Sequence, residues 1–472
     1  MRLPRLVAEY PSPLRSLMLL FTTALTFLVA LLIANAPASG ADAGSAITVC
    51  TTGPPACDFA SIQAAIDASA PGDVLHVEGG VYSESLTLRG DLTIRGANSA
   101  TPTLTALTGP VISANSIQSV SLSQLEIDGR GVLTVGISMT DVNLALDSVT
   151  IHNLGGADGE AGAVDGDDVT AISLAGAGSL RASQLRIAQL IAGSGYTTYT
   201  WAFEEDYRGG DASGIAVTGT YMIQIDNTLI SGLVGGDAGS STEDPYGCHG
   251  RGGQAVGIAT DGSDVRLDQI TIRNLRGGKP CSGLAQYCDY RAGAYLGISA
   301  RGGTLTVTDS RLSDFSARAA HRSTVNAGIF VQDSSDVVLD GVRLEPGTTS
   351  LLANASPVTT PRAALRPDSP DSPYCVEPPL SVYAMRVQDA DQVSLNDLSI
   401  RNVWGGGEGG KAVAISISAA DSVSLTASLI DHLHGGYQNL TTRGISLSEI
   451  GQLLINGNEI RDLTASAAPR LQ

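Results

Sequence analysis

Five arginines stand seven residues ahead of a recurring apolar position. They are Arg130, Arg208, Arg251, Arg291 and Arg322, before Ile137, Ile215, Ile258, Ile298 and Ile329; Asp165 holds the same place before Ile172. A guanidinium is planar, permanently charged and able to grip a carboxylate through two parallel N–H bonds. Tyr207, Tyr290 and His321 directly precede three of these arginines and add ring faces. Like charges held a few ångströms apart repel unless something answers them. Two answers fit this register. One is a carboxylate-bearing glycan; the other is pairing with nearby acids such as Glu204, Asp211, Glu243 or Asp289, with stacking on the tyrosines.

Other reactive groups are sparse. Gly166-Asp167-Asp168 ahead of Ala171-Ile172 resembles the paired-aspartate motif of polygalacturonase-like hydrolases, in which two carboxylates share acid and base work. The Asn-Thr-Asp stretch of that family is absent and no Gly-His-Gly follows one repeat later, so no catalytic residue is assigned. A lyase would need a base beside an acidic sugar, with Arg208, Arg251, Tyr290 and His321 as its available parts. Cysteines in an exported chain read as disulfides. Cys50 and Cys57 are expected to pair, while the connectivity of Cys248, Cys281, Cys288 and Cys375 stays open. A zinc site using His249 matches no standard ligand spacing. No metal site and no cofactor is expected, calcium being the one ion left open.

The elements that must carry these residues repeat. A small residue followed by an apolar one recurs at Gly136-Ile137, Ala171-Ile172, Gly214-Ile215, Gly257-Ile258, Gly297-Ile298, Gly328-Ile329, Ala384-Met385, Ala414-Ile415 and Gly444-Ile445. A second apolar column follows at a nearly fixed offset, Ile151 after Ile137 and Ile187 after Ile172, through Ile272 to Ile430 and Ile460. Alternation between them, as at Leu144/Leu146 and Val423/Leu425, means short strands with one buried face. So short a unit cannot close its own core, and stacking equivalent strands in parallel buries one continuous column. The fold class is therefore all-β, a single-stranded right-handed parallel β-helix. Nine regular units and two irregular ones ending at Ile94 and Ile127 make about eleven coils. Arg401, Asp431 and Arg461 form a surface charge ladder on it, and Asn153, Asn274 and Asn402 occupy the next column as turn supports.

Ahead of the repeats, Asp58 is placed to cap a short helix whose Phe59, Ile62 and Ile66 share one face, and the first strand is expected at Val74-Leu75-His76-Val77. The stretch SIQAAIDASAPGDVLHVEGGVYSESLTL resembles the entry segment of secreted bacterial β-helix proteins and pectinesterases of the pectin-lyase-like superfamily. The resemblance covers about 30 residues and implies fold rather than activity, since the pectinesterase catalytic motifs are missing. Arg2, Arg5 and Arg15 precede an uncharged apolar run from Ser16 to Ala34, followed by small residues. Residues 1–41 are read as a signal peptide or membrane anchor, 42–73 as an N-terminal cap with helix and disulfide, and 74–472 as the β-helix. An extracellular or cell-surface location follows.

Length varies in one connection only, from the second apolar column to the next coil, so every insertion is expected on one side of the rod. Tyr196, Tyr199, Trp201, Tyr207, Tyr246, Tyr287, Tyr290, Tyr374, Trp404 and Tyr437 fall there. Exposed ring faces suit sugar rings. A formal net charge of −19 argues against nucleic acid as a partner. These features favour an exported protein that binds a polysaccharide, in one form an acidic one, along its insertion-bearing side. A polysaccharide lyase or glycoside hydrolase acting there, and a structural surface rod or adhesin, are the alternatives. Beyond Leu463 only Leu471 is a large apolar residue, so the last coil is expected to lack a cap. That predicts end-to-end self-association, a separate C-terminal partner, or a longer natural chain.

Overall fold

The computed structural model describes residues 45–97, 100–160, 165–196, 208–239, 250–279, 292–316, 325–347, 381–405, 411–435 and 442–465. Compact units are Met1–Ser45, of which Ser45 alone is described, and Ala46–Gln472. Three ladders of parallel strands wind around the core of the second unit. In one coil they are Val135–Thr140 on the first face, Asn143–Asp147 on the second and Thr150–Gly155 on the third. In several coils the first two run on as one 15-residue strand, as in Val169–Ser183 and Ala412–Thr426.

Both apolar columns are strand registers. Ile137 pairs with Ile172, then Ile215, Ile258, Ile298, Ile329, Met385, Ile415 and Ile445 in turn. Ile151 leads the third-face column through Ile187, Ile230, Ile272, Leu312, Leu344, Ile400 and Ile430 to Ile460. These side chains are buried except in the last coil. The small residue ahead of the first column marks a skip in the ladder: Ser213 pairs Val256 and Ile215 pairs Ile258, with Gly214 and Gly257 passed over. A Cβ on Gly257 would stand 2.5 Å from the Gly297 carbonyl oxygen. The fold is the right-handed parallel β-helix that the entry segment's resemblance implies.

One irregular unit is corrected. Ile127 does join the third face, but Ile94 pairs with Leu75 and Leu122 on the second. Tyr82 and Leu104 fill the third-face column in its place, so twelve third-face strands stack from Val81–Ser83 to Glu459–Ile460 among the described residues. Alternation has the same period of two on every face, so it cannot say which face an irregular segment joins.

The N-terminal end is closed more thoroughly than expected. Helix α1 (Ile62–Ala68) buries Ile62, Ala65 and Ile66, but its N-cap is Ser61, whose hydroxyl accepts from the Ala64 amide at 3.2 Å. Asp58 instead accepts from the Thr48 amide and hydroxyl at 2.8 and 2.7 Å, bonds that hold its carboxyl below the usual range. Glu84, from the first coil, completes the cap by accepting from the Ile62 and Gln63 amides at 2.7 and 3.0 Å, a favourable place for a negative charge. Residues Ala46–Val49 add an unforeseen strand beside Val74–Val77, which is the expected first strand. Cys50 and Cys57 form the expected disulfide. Cys248, Cys281, Cys288 and Cys375 lie outside the described residues.

Candidate functional site

Most third-face strands turn a left-handed corner part-way along, two residues after the column position, before running out into the variable connection. Asn153, Asn274 and Asn402 sit at that corner with φ of 57°, 56° and 56°. Asparagine tolerates this conformation better than other non-glycine residues, which accounts for the turn-support column. The described insertions start from the third face and return to the first, so they share one edge of the stack. Gly156, Ala192, Gly235 and Gly277 begin successive outgoing limbs, joined by bonds such as Ala192 N to Val234 O (3.0 Å) and Gly235 N to Arg276 O (2.9 Å).

The outgoing and returning limbs interleave. Gly193 donates to the Asp167 carbonyl, Gly210 to Gly193, Gly236 to Gly210, Gly253 to Gly236, Gly278 to Gly253 and Gly293 to Gly278, all at 2.8–3.0 Å. The backbone of one coil's outgoing limb thus bonds the returning limbs above and below it. No side chain fits between them: a Cβ would stand 1.8 Å from a carbonyl oxygen at Gly193, Gly236, Gly253 and Gly278, and 1.7 Å at Gly293. This lattice uses many of the chain's 55 glycines and was not foreseen. Its visible signal was the doublet at Gly209-Gly210, Gly235-Gly236, Gly252-Gly253 and Gly277-Gly278.

Aspartates line the rim of the lattice and accept from backbone amides of the next coil. Asp165 accepts from Arg208 (2.9 Å), Asp168 from Asp211 (2.6 Å), Asp211 from Gln254 (2.7 Å) and Asp237 from Lys279 (2.8 Å). Asp167 accepts from the Ala157 amide at 3.3 Å. Both members of the Asp167-Asp168 pair therefore hold the scaffold. Burial pushes the Asp211 carboxyl up, opposed by the Gln254 amide and the Arg208 guanidinium, while the Asp168 charge adds to the rise.

The returning limbs keep coil register. Gly166 donates to the Arg208 carbonyl and Gly209 to the Arg251 carbonyl, both at 2.8 Å, so Asp165, Arg208 and Arg251 stand in one column. Arg208 is answered internally, its Nη2 lying 2.7 Å from Asp211 Oδ2. Arg251 has no carboxylate partner among the described residues and is half-buried. Arg291, Arg322, Tyr207, Tyr290 and His321 fall outside the described residues, as do Trp201 and the nearby acids Glu204, Glu243 and Asp289. Trp404 is described, at the end of the third-face strand Ser399–Trp404 rather than within an insertion. It is 37% exposed, and its ring lies over His434 with centroids 4.2 Å apart. Arg130 sits at a left-handed corner and reaches Ser83.

The charge ladder is found in part: Arg401 and Asp431 share a register, the ion pair is between Arg461 Nε and Asp431 Oδ2 at 3.5 Å, and Asp431 is buried rather than on the surface. His432 Nδ1 lies 2.8 Å from the other Asp431 oxygen. Asp431, His432 and Asp462 could offer three ligand atoms to a cation, within 4.8 Å of one another. Arg461 already occupies the Asp431 carboxylate and reduces what a cation would gain there. Sequence reasoning passed over one further pair, His152 Nε2 and Glu126 Oε1 at 2.7 Å on the third face, because the two are 26 residues apart. A trough of about 970 Å³ runs along the corner between the first two faces in the last coils. Asp333, Asp389, Asp391, Asp421 and Glu449 line it, a charge that repels anions.

No protein-family model and no curated protein sequence matches the chain. Several solved structures do. The A-module of mannuronan C-5 epimerase AlgE6 from Azotobacter vinelandii is 11% identical, covering 86% of this chain and 94% of that one, with a TM-score of 0.29. A polygalacturonase from Erwinia carotovora ssp. carotovora is 12% identical over 90% and 97%, with a TM-score of 0.31. A GH136 lacto-N-biosidase from Eubacterium ramulus is 10% identical over 88% and 68%, with a TM-score of 0.27. Likeness this distant carries no argument about activity. The parallel β-helix assignment stands on this chain's own strand register.

Proposed function

We propose that this chain is an exported protein that binds a polysaccharide along its insertion-bearing side. One observation carries the reading: the insertions share one edge, and their roots keep coil register, so side chains there repeat along the rod. An extended polymer with regular units suits a surface whose groups recur at roughly 4.8 Å, the spacing of neighbouring strands. Ten of the fifteen tyrosines and tryptophans belong to this connection or its threshold, which supports sugar rings as the units. Arg251, with no carboxylate answering it among the described residues, favours an acidic sugar. Arg208 contributes less, because Asp211 already neutralises it. The acidic trough on the other corner would turn such a polymer away.

Binding of the purified chain to a panel of neutral and uronate-containing polysaccharides tests this. Tighter binding to the acidic members is expected, weakened by salt and further weakened in Arg251→Ala. Equal affinity for acidic and neutral members would remove the acidic specificity, and no binding to any member would remove the reading. Release of reducing ends or of unsaturated products from the same panel would replace a binder with a hydrolase or a lyase.

A further inference from the structure

One stretch of the first face breaks its own pattern. The residue after each first-face column position faces outward. From Ser138 to Ser299, and again at Ser416 and Ser446, that residue is serine or alanine. Phe330 and Arg386 interrupt the column in adjacent coils. The stack does not demand them, since a side chain no larger than serine serves in every other coil of the column. Tyr383, three residues before Arg386, brings a second ring. The Arg386 guanidinium carbon lies 5.1 Å from the Tyr383 ring centroid and 6.0 Å from that of Phe330, within reach of a cation–π contact with each. All three side chains are half-buried. No carboxylate pairs with Arg386 among the described residues. Arg301, on the same face, is answered by Asp333 at 3.3 Å. In these four coils, from Leu296 to Ser418, the outward first-face positions include no acid, in a chain of net charge −19. Asp333 and Asp389 stand beyond them, at the left-handed corner.

We propose that Arg386, flanked by Phe330 and Tyr383, anchors one carboxylate-bearing sugar unit on the outer first face. The inference rests on the polysaccharide reading above and adds to it a contact outside the insertions. An arginine that stacks by its face keeps its N–H edge for a carboxylate, which it can grip through two parallel bonds. Rings that already confine the side chain reduce the freedom it loses on binding. They also offer apolar area to the C–H groups of a sugar, for which a bare phosphate or sulfate has no use. Gln332 Nε2 donates to Gln388 Oε1 at 3.2 Å in the next outward column. The Gln388 amide N–H groups are thereby left without a partner among the described residues, as donors for sugar hydroxyls. Position agrees with the polymer reading. Tyr383 and Arg386 are the second and fifth residues of the strand Val382–Asn396, beside the edge where the insertions return. That strand lies three coils past Ala255–Asp261, which Arg251 precedes, or about 14 Å along the rod at roughly 4.8 Å a coil. One extended chain can meet both arginines.

Calorimetric titration of the full chain with trisaccharides of galacturonate, glucuronate and mannuronate, each beside its methyl ester, tests the proposal. Esterification removes the charge and keeps the shape of the sugar. At least one acid form is expected to bind where its ester does not, with affinity falling as salt rises. Arg386→Gln should weaken that binding by about tenfold or more, the scale of a hydrogen bond to a charged group. Arg386→Lys keeps the charge but not the fork, and should recover only part of the loss. Arg301→Gln removes the same formal charge from the same face and should leave binding unchanged. Circular dichroism should be that of the wild type for all three, since neither arginine lies in the core. Acid binding that Arg386→Gln leaves intact, or that Arg301→Gln weakens equally, would overturn the anchor and leave the polysaccharide reading standing. Acid and ester bound alike would overturn it as well, because no carboxylate would then be read. Failure of every trisaccharide in a chain that still binds uronate polymers would overturn the anchor alone; failure of both would remove the two readings together.

Discussion

Gly236→Ala should be among the most damaging conservative changes available outside the core. The new Cβ would stand 1.8 Å from the Gly193 carbonyl oxygen, whereas real contacts are essentially never under 3.0 Å, so the limbs must part by more than an ångström. Backbone cannot rotate away as a side chain can. Such a shift breaks the bonds from Gly236 to the Gly210 carbonyl and from Gly253 to the Gly236 carbonyl. Overpacking costs about 1–3 kcal/mol, and two lost hydrogen bonds add about 1 kcal/mol each. The stiffer unfolded chain returns about 0.4–1 kcal/mol, leaving a net loss of roughly 2–4.6 kcal/mol. Gly90→Ala is the control: its nearest neighbour is Pro71 Cγ at 3.7 Å, so it should be neutral or slightly stabilising. Urea unfolding of both variants compares them, with hydrogen exchange at Gly253 and Gly278 to localise any loosening. Neither glycine has a positive φ, so strain at the residue itself cannot explain a difference. If the two variants unfold within about 0.5 kcal/mol of each other, the spread of ordinary surface changes, the interleaved lattice is not holding the insertion roots together.

Leu267, fully buried between Ile225 and Val307, should cost about 2–5 kcal/mol when truncated to Ala, read from the same urea titrations. A loss under about 0.5 kcal/mol, no more than a surface change brings, would contradict the register. Asp211 supplies a pH test. Its folded carboxyl titrates above the ordinary value of 3.8, so between those two values the folded state holds more protons than the unfolded. Its contribution therefore falls as pH rises from 3.8 through the folded value. Relative to Asp211→Asn, the wild type should lose stability across that window and then level off; a gain with rising pH would reverse the assignment.

Much of the scaffold was legible because alternation and column spacing record burial directly. A strand that buries one face must place Ile, Leu or Val at every second residue, and a stack must repeat them at one register; both columns and the shared edge of the insertions follow from that. Ile94 went to the wrong face because alternation is identical on all three. Ser61, not Asp58, caps α1 because Glu84, more than twenty residues on, is brought to that helix only by winding of the first coil. The arginine column meets the same limit. Its spacing was readable, but whether Arg208 meets a ligand or Asp211 depended on where the returning limb settles. The lattice beneath it is made of carbonyls and amides, which every residue carries, and glycine marks only that something must come close. Which backbones meet was decided by stacking one coil on the next.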